Sequence, residues 1–117
     1  MTSLAKIWGR RFEDAMAEHL NRCFAAQCRQ LGEKGVQDEI RYGIKQAAGY
    51  GISLERDVCK YIDLMFAFGR DFDRDLKLPW AAQILRDNSF DEATVKVERL
   101  FATAKSQTMP MIWNPQQ

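Results

Sequence analysis

Three aspartates alternate within residues 68–80, "FGRDFDRDLKLPW", and this is the densest group of chemically active side chains in the chain: Asp71, Asp73 and Asp75. Alternating carboxylates open the calcium loop of an EF-hand, which also requires a glycine at its sixth position and a glutamate at its twelfth. Counted from Asp71, those positions hold Leu76 and Ala82. The missing glycine and glutamate argue against calcium.

A magnesium site of the D-x-D type would need a phosphate-binding loop beside the carboxylates. The sequence contains no glycine-rich phosphate loop, and Arg70 and Arg74 are close enough in sequence to neutralise the acids. The pattern therefore predicts no metal and no cofactor. It favours a segment whose apolar residues dock onto helices while its charged residues stay solvated. The apolar set is Phe68, Phe72, Leu76, Leu78 and Trp80, and the charged set is Arg70, Asp71, Asp73, Arg74 and Asp75.

The single histidine limits the catalytic possibilities. His19 excludes any site that needs two imidazoles, and we interpret it as a hydrogen-bonded residue at the edge of the core. A nucleophilic Cys59 would need a histidine nearby in space, and only His19 could serve. The three cysteines are instead read as small buried side chains of a protein in a reducing cytoplasm. The sequence predicts that the protein is not an enzyme.

Composition places the chain among ordinary globular proteins. Its 117 residues suit one domain, and the scarcity of proline and glycine favours helices over strands. A formal charge of +1 gives no electrostatic case for a nucleic acid or an anionic membrane as partner. No stretch resembles a signal peptide or a membrane span, so a cytoplasmic location is expected.

Apolar periodicity predicts an all-α fold, a compact bundle of about five helices in one domain (residues 1–106). Gly43 and Gly49 lie inside the second helix, where glycine can permit close approach of a neighbouring helix. The predicted helices are a long first one over residues 4–31, ended by a turn flanked by Gly32 and Gly35, then 36–50, 54–68, 79–85, and a last one with its apolar face at 93–104. The third helix has a wide apolar face, which predicts a central position with contacts on several sides, and Pro79 suits the first position of the fourth helix. Residues 107–117 are predicted to form an irregular tail.

The tail contains an apolar group that no predicted helix orders: Met109, Met111, Ile112 and Trp113. Such a segment either folds back over the core or docks into a partner. Both outcomes stay open.

A longer stretch of the chain resembles a known family. It begins with four spaced residues followed by "YGI" at residues 50–52: Arg41, Gly43, Ile44 and Ala47. Two further patterns come after it, "E-x-D-V-x-x-Y-I-D-L-M-F-x-F-G-x-D-F-D" and "P-W-A-x-x-I-L". Over residues 36–86 this pattern is similar to small proteins encoded in bacterial type VI secretion islands. The resemblance implies an accessory or co-chaperone role, with an effector chaperone as partner and its toxin effector as indirect partner.

The resemblance carries no catalytic residue, so contact residues are a separate hypothesis. An exposed aromatic segment ringed by charge can bind a protein through a few buried anchors. The predicted contact residues are Phe68, Asp71, Phe72, Asp73, Trp80, Met111 and Trp113. An alternative function is an immunity protein that occludes a toxin domain.

Overall fold

The computed structural model describes residues 4–89 and 92–112, with side chains described for residues 11–89 and 92–107. These ranges contain five α-helices and one short 3₁₀ helix, and no strand. The predicted all-α class and the five-helix count are therefore confirmed. The elements are α1 (Leu4–Cys23), α2 (Ala25–Gly49), α3 (Glu55–Phe68), the 3₁₀ helix (Phe72–Arg74), α4 (Pro79–Leu85) and α5 (Ala93–Ile112).

The predicted long first helix is not a single element. It is interrupted at Phe24, whose φ of −133° and ψ of 51° are not helical. The Phe24 ring lies 5.6 Å from the Phe66 ring, so this break coincides with a core contact. A second bend occurs at Gly32, where a φ of 76° favours glycine. The sequence predicted a turn flanked by Gly32 and Gly35 between two helices, whereas the structure has only a bend at Gly32 within α2. The sequence missed the break at Phe24, because the apolar stripe runs through it without a Gly or Pro signal.

Helix α3 is the centre of the bundle. It packs against α1, α2, α5 and the 3₁₀ helix. Four of its side chains have no exposed surface, and they are Val58, Tyr61, Ile62 and Leu64. The broad apolar face read from the sequence is thus explained by contacts on several sides.

Gly43 marks the closest approach of α2 to α3. A β-carbon at this position would lie 2.6 Å from Ile62 Cγ1 and 2.9 Å from Met65 Sδ, which is too close for either atom. At Gly49 a β-carbon would have no neighbour within 4 Å. The close-approach interpretation therefore holds for Gly43 and not for Gly49.

Helix α5 continues further than the sequence indicated. Its backbone is helical to Ile112, so the predicted irregular tail is helical over residues 107–112. Met111 falls in that last part of the helix, where side chains are not described, and Trp113 lies outside the described residues. The hypothesis that both contact a partner stays a prediction.

Over the residues that the structure describes, no helix combines the length and apolar character required to cross a membrane.

Candidate functional site

The aspartate-rich segment leaves α3 at a glycine. Gly69 has a φ of 117°, a backbone conformation that other residues rarely adopt, and its N–H donates to the Met65 carbonyl at 2.8 Å. The chain then forms the 3₁₀ turn and enters α4 at Pro79, which suits the first position of a helix. The helix predicted over residues 79–85 is confirmed at both ends.

Two of the predicted contact residues are buried instead of exposed. Phe72 and Asp73 are each 1 % exposed, and the Phe72 ring lies 5.1 Å from the Tyr61 ring. The prediction that Phe72 and Asp73 line an accessible patch is therefore wrong. The alternating pattern predicted that Phe72 docks inward and Asp73 stays solvated, whereas the segment forms a 3₁₀ turn, with three residues per turn, in which both consecutive side chains are buried.

Asp73 makes a hydrogen bond in the interior. Its Oδ2 accepts from the Tyr50 hydroxyl at 2.6 Å, and its Oδ1 has no hydrogen-bond partner. The nearest cation is the Arg74 guanidinium, with Nε 3.9 Å from Oδ1. Asp73 thus joins the segment to the end of α2 and is not available to a partner.

Asp71 is exposed as predicted, and one of its carboxylate oxygens accepts two hydrogen bonds. Its Oδ1 accepts from the Tyr42 hydroxyl at 2.5 Å and from Arg74 Nη2 at 2.6 Å. The hydrogen bond from Tyr42, followed by that from Arg74, lowers the pKa of Asp71. Arg70 completes the group, with its guanidinium carbon 3.8 Å from the centre of the Tyr42 ring. Sequence reasoning missed Tyr42 because nothing in the α2 pattern relates it to a segment 29 positions away.

The three aspartates therefore do not form one site. Asp71 binds Tyr42 and Arg74, Asp73 binds Tyr50, and Asp75 Oδ1 accepts from the backbone N–H of Lys77 at 2.9 Å. Each carboxylate has a structural partner of its own. These three bonds tie the segment to α2, to the residue that follows α2, and to its own backbone.

An exposed face remains around the segment, which we call the Arg70 face. Two shallow depressions adjoin at Gly69 and Arg70, with volumes of about 470 and 310 Å³. Asp71 and Arg74 line the larger depression, and Leu31, 41 % exposed, lines the smaller.

Phe68 lines the larger depression, and further apolar side chains adjoin Phe68 or follow the segment in sequence. Phe68 and Trp80 are half-buried, and their rings meet edge to face at 5.4 Å. Leu76 is 94 % exposed, although the sequence predicted that it docks onto the bundle. Leu76 directly follows Asp75, which lines the larger depression.

The tyrosines give the first testable prediction. Burial, together with the hydrogen bond to Asp73, raises the pKa of Tyr50 to about 12, and burial also raises the pKa of Tyr61. Because an unfolded phenol titrates near about pH 10, these groups stabilise the fold below that pH and lose their contribution as the pH rises. We expect the free energy of unfolding to fall between about pH 10 and pH 12.

Tyrosinate absorbance and far-ultraviolet circular dichroism check this expectation together. The tyrosinate absorbance should appear at a higher pH than that of free tyrosine, and over the same pH range as the loss of the helical signal. Titration of all three tyrosines near the pH of free tyrosine, with helix retained, would contradict it.

A second group of reactive side chains lies between α1 and α3. His19 Nε2 is 2.8 Å from Asp63 Oδ1, which confirms that His19 is hydrogen-bonded at the core edge. Cys59 joins them, and Cys23 Sγ lies 3.9 Å from His19 Nδ1. Burial, followed by the charge of Asp63, raises the pKa of Cys59 to about 11, so its thiol is a weak nucleophile.

Sequence reasoning allowed a spatial pair of Cys59 and His19 but did not identify Asp63. The four-residue spacing between Cys59 and Asp63 could have identified Asp63, because residues one helical turn apart lie on the same face of α3.

No protein-family model matches this chain, and neither the curated proteins nor the solved structures searched contain a similar protein.

Proposed function

We propose that this protein is a protein-binding accessory factor, a co-chaperone that binds an effector chaperone and assists loading of a toxin effector onto the type VI secretion spike. The resemblance over residues 36–86 suggests the partner, and the Arg70 face supports a role in protein binding. The observation that carries the proposal is the 94 % exposed Leu76, which directly follows Asp75 in the lining of the larger depression. Few side chains carry most of the energy in protein interfaces, and apolar anchors ringed by charge are their usual form.

The side chains of the Arg70 face are already ordered before a partner arrives. Arg70 is held by the Tyr42 ring and by Glu39, whose Oε1 is 3.4 Å from Arg70 Nε. Arg74 is held by Asp71 and Tyr42. A partner would lose little conformational entropy from these side chains on binding, which favours affinity.

The same contacts weigh against the alternative of an immunity protein that presents an acidic loop to a toxin. Of the three aspartates, Asp73 is buried and Asp71 is paired with Arg74. The loop therefore offers little free negative charge. A toxin domain that copurifies alone, and whose toxicity this protein relieves, would favour the immunity role over the co-chaperone role.

The test is substitution of the exposed leucine, with a matched control. Leu76→Asp should weaken binding to the effector chaperone by about tenfold or more, as expected when a charge is placed at an anchor position. Leu54→Asp is the control, because Leu54 is 52 % exposed and precedes the N-terminal end of α3, whereas the Arg70 face begins at the C-terminal end of that helix, about 20 Å away along its axis.

Isothermal titration calorimetry with a purified effector chaperone of a type VI secretion system measures both variants. Loss of affinity in Leu76→Asp alone would support the Arg70 face. Equal affinity in both variants and the parent protein would overturn the assigned surface. An absence of binding by the parent protein would overturn the proposed function itself.

A further inference from the structure

Two neighbouring helices present pairs of metal-binding side chains to each other. His19 and Cys23 are four residues apart on α1, and Cys59 and Asp63 are four residues apart on α3. Residues i and i+4 lie on the same face of a helix, so each pair covers one patch. Because α1 packs against α3, the two patches meet.

The distances between the donor atoms are those of a compact cluster. One donor atom from each of His19, Cys59 and Asp63 lies within 4.8 Å of the other two. Cys23 Sγ is 3.9 Å from His19 Nδ1 and 4.0 Å from His19 Nε2. Around a tetrahedral zinc ion with bonds of about 2.0–2.3 Å, donor atoms are roughly 3.3–3.8 Å apart. The donor atoms of His19, Cys59 and Asp63 are close to this spacing, and Cys23, which approaches the cluster at His19, would have to rotate towards the other two donors to complete it.

We propose that His19, Cys23, Cys59 and Asp63 form a binding site for a zinc-like divalent transition metal. Two thiolates, one imidazole and one carboxylate are a donor set that suits Zn²⁺ and does not suit Ca²⁺ or Mg²⁺, which require mainly oxygen ligands. The sequence predicted no metal because the aspartate-rich segment lacks the EF-hand glycine and glutamate and a phosphate loop, and because a single histidine excludes sites that need two imidazoles. This site needs only one histidine, since cysteines and an aspartate complete it.

Burial and charge fit the proposed site. The side chains of His19 and Asp63 are 29 % and 10 % exposed, so the cluster is open enough for an ion to enter and dry enough to retain it. Two thiolates and a carboxylate exceed the charge of a divalent ion by one unit. Arg22 and Lys60, the sequence neighbours of the two cysteines, are positioned to offset that excess.

Metal binding would link α1 directly to the central helix. The bond between His19 and Asp63 already spans 44 positions of sequence. An ion at this point would connect the same elements with stronger bonds, so the proposed site would stabilise the bundle by linkage.

The test uses the full-length reduced protein without an affinity tag. Competition for Zn²⁺ against a chromophoric chelator should give one equivalent bound, and Co²⁺ should give the intense visible bands of a tetrahedral site with thiolate charge transfer. Cys59→Ala should lower the affinity for Zn²⁺ by more than about 100-fold. Substitution of residues that only hydrogen-bond the metal ligands already lowers metal affinity by up to about 100-fold, and loss of a ligand should cost more. Cys28→Ala is the matched control, since Cys28 is a buried thiol on α2 outside the cluster.

Each outcome decides the proposal. One equivalent of Zn²⁺, a tetrahedral Co²⁺ spectrum and loss of both in Cys59→Ala alone would support it. Absence of stoichiometric binding in the parent protein, or equal affinity of Cys59→Ala and Cys28→Ala, would overturn it. Circular dichroism of both variants establishes that they fold, and the Co²⁺ spectrum of the parent protein decides the geometry independently of either variant.

Discussion

Replacement of Phe72 by alanine is expected to lower the free energy of unfolding by about 3–5 kcal/mol, the usual cost of removing a buried aromatic side chain. Phe72 is 1 % exposed and packs against Tyr61, which is itself fully buried on α3. The cavity would open where the 3₁₀ helix meets the central helix. Because small domains have only about 5–15 kcal/mol of stability, the variant should be largely or partly unfolded at moderate urea concentrations. Urea denaturation followed by circular dichroism measures the change.

Leu76→Ala is the control for this experiment. Leu76 lies four residues further along the same loop and is 94 % exposed, so its truncation should change the free energy of unfolding by about 0.5 kcal/mol or less. Similar unfolding midpoints for the two variants would contradict the assignment of Phe72 to the core. The comparison also has a consequence for function. Weak partner binding by Phe72→Ala would report loss of the fold, whereas weak binding by Leu76→Ala would report loss of a contact.

Replacement of Gly43 by valine is expected to lower the free energy of unfolding by about 3 kcal/mol or more, the upper range for overpacking a core. The first added carbon would lie 2.6 Å from Ile62 Cγ1 and 2.9 Å from Met65 Sδ. Ile62 cannot move away easily, because it is 0 % exposed and surrounded by the bundle core. The two valine methyl groups extend the clash, so α2 and α3 must separate. Thermal and urea unfolding measure the loss.

Gly49→Val is the matched control, since it makes the same substitution in the same helix. Nothing lies within 4 Å of a β-carbon at Gly49, and valine has a slightly better helix propensity than glycine. Its free energy of unfolding should stay within about 0.5 kcal/mol of the parent protein. A large loss at Gly49, or a negligible one at Gly43, would show that helix packing is not what requires glycine at position 43.

Local signals in the sequence were reliable where they act through the backbone alone. Pro79 begins α4 because its fixed φ suits a first helical position, and Gly32 bends α2 because it accepts a positive φ. The central position of α3 also followed from sequence, since apolar residues on more than one face need contacts on more than one side. These features do not depend on which helix lies next to which.

Local sequence patterns did not predict the conformation of the aspartate-rich segment. Alternating apolar and charged residues predicted that Phe72 packs inward and Asp73 faces solvent, but both are buried. The reason is the 3₁₀ turn, which is favoured by the burial of Phe72 against Tyr61 and by the bond from Tyr50 to Asp73. Neither partner is close in sequence, so no local pattern could indicate the turn.

The sequence by itself determined the all-α class, the number of helices and the absence of a complete EF-hand loop, because composition, periodicity and motif spacing are properties of the chain alone. Only the tertiary structure decided which side chains meet. It joined Tyr42 to Asp71, and it brought His19 and Cys23 of α1 opposite Cys59 and Asp63 of α3. The physical reason is that periodicity defines which face of a helix is buried, whereas the packing of helices distant in sequence defines what that face contacts.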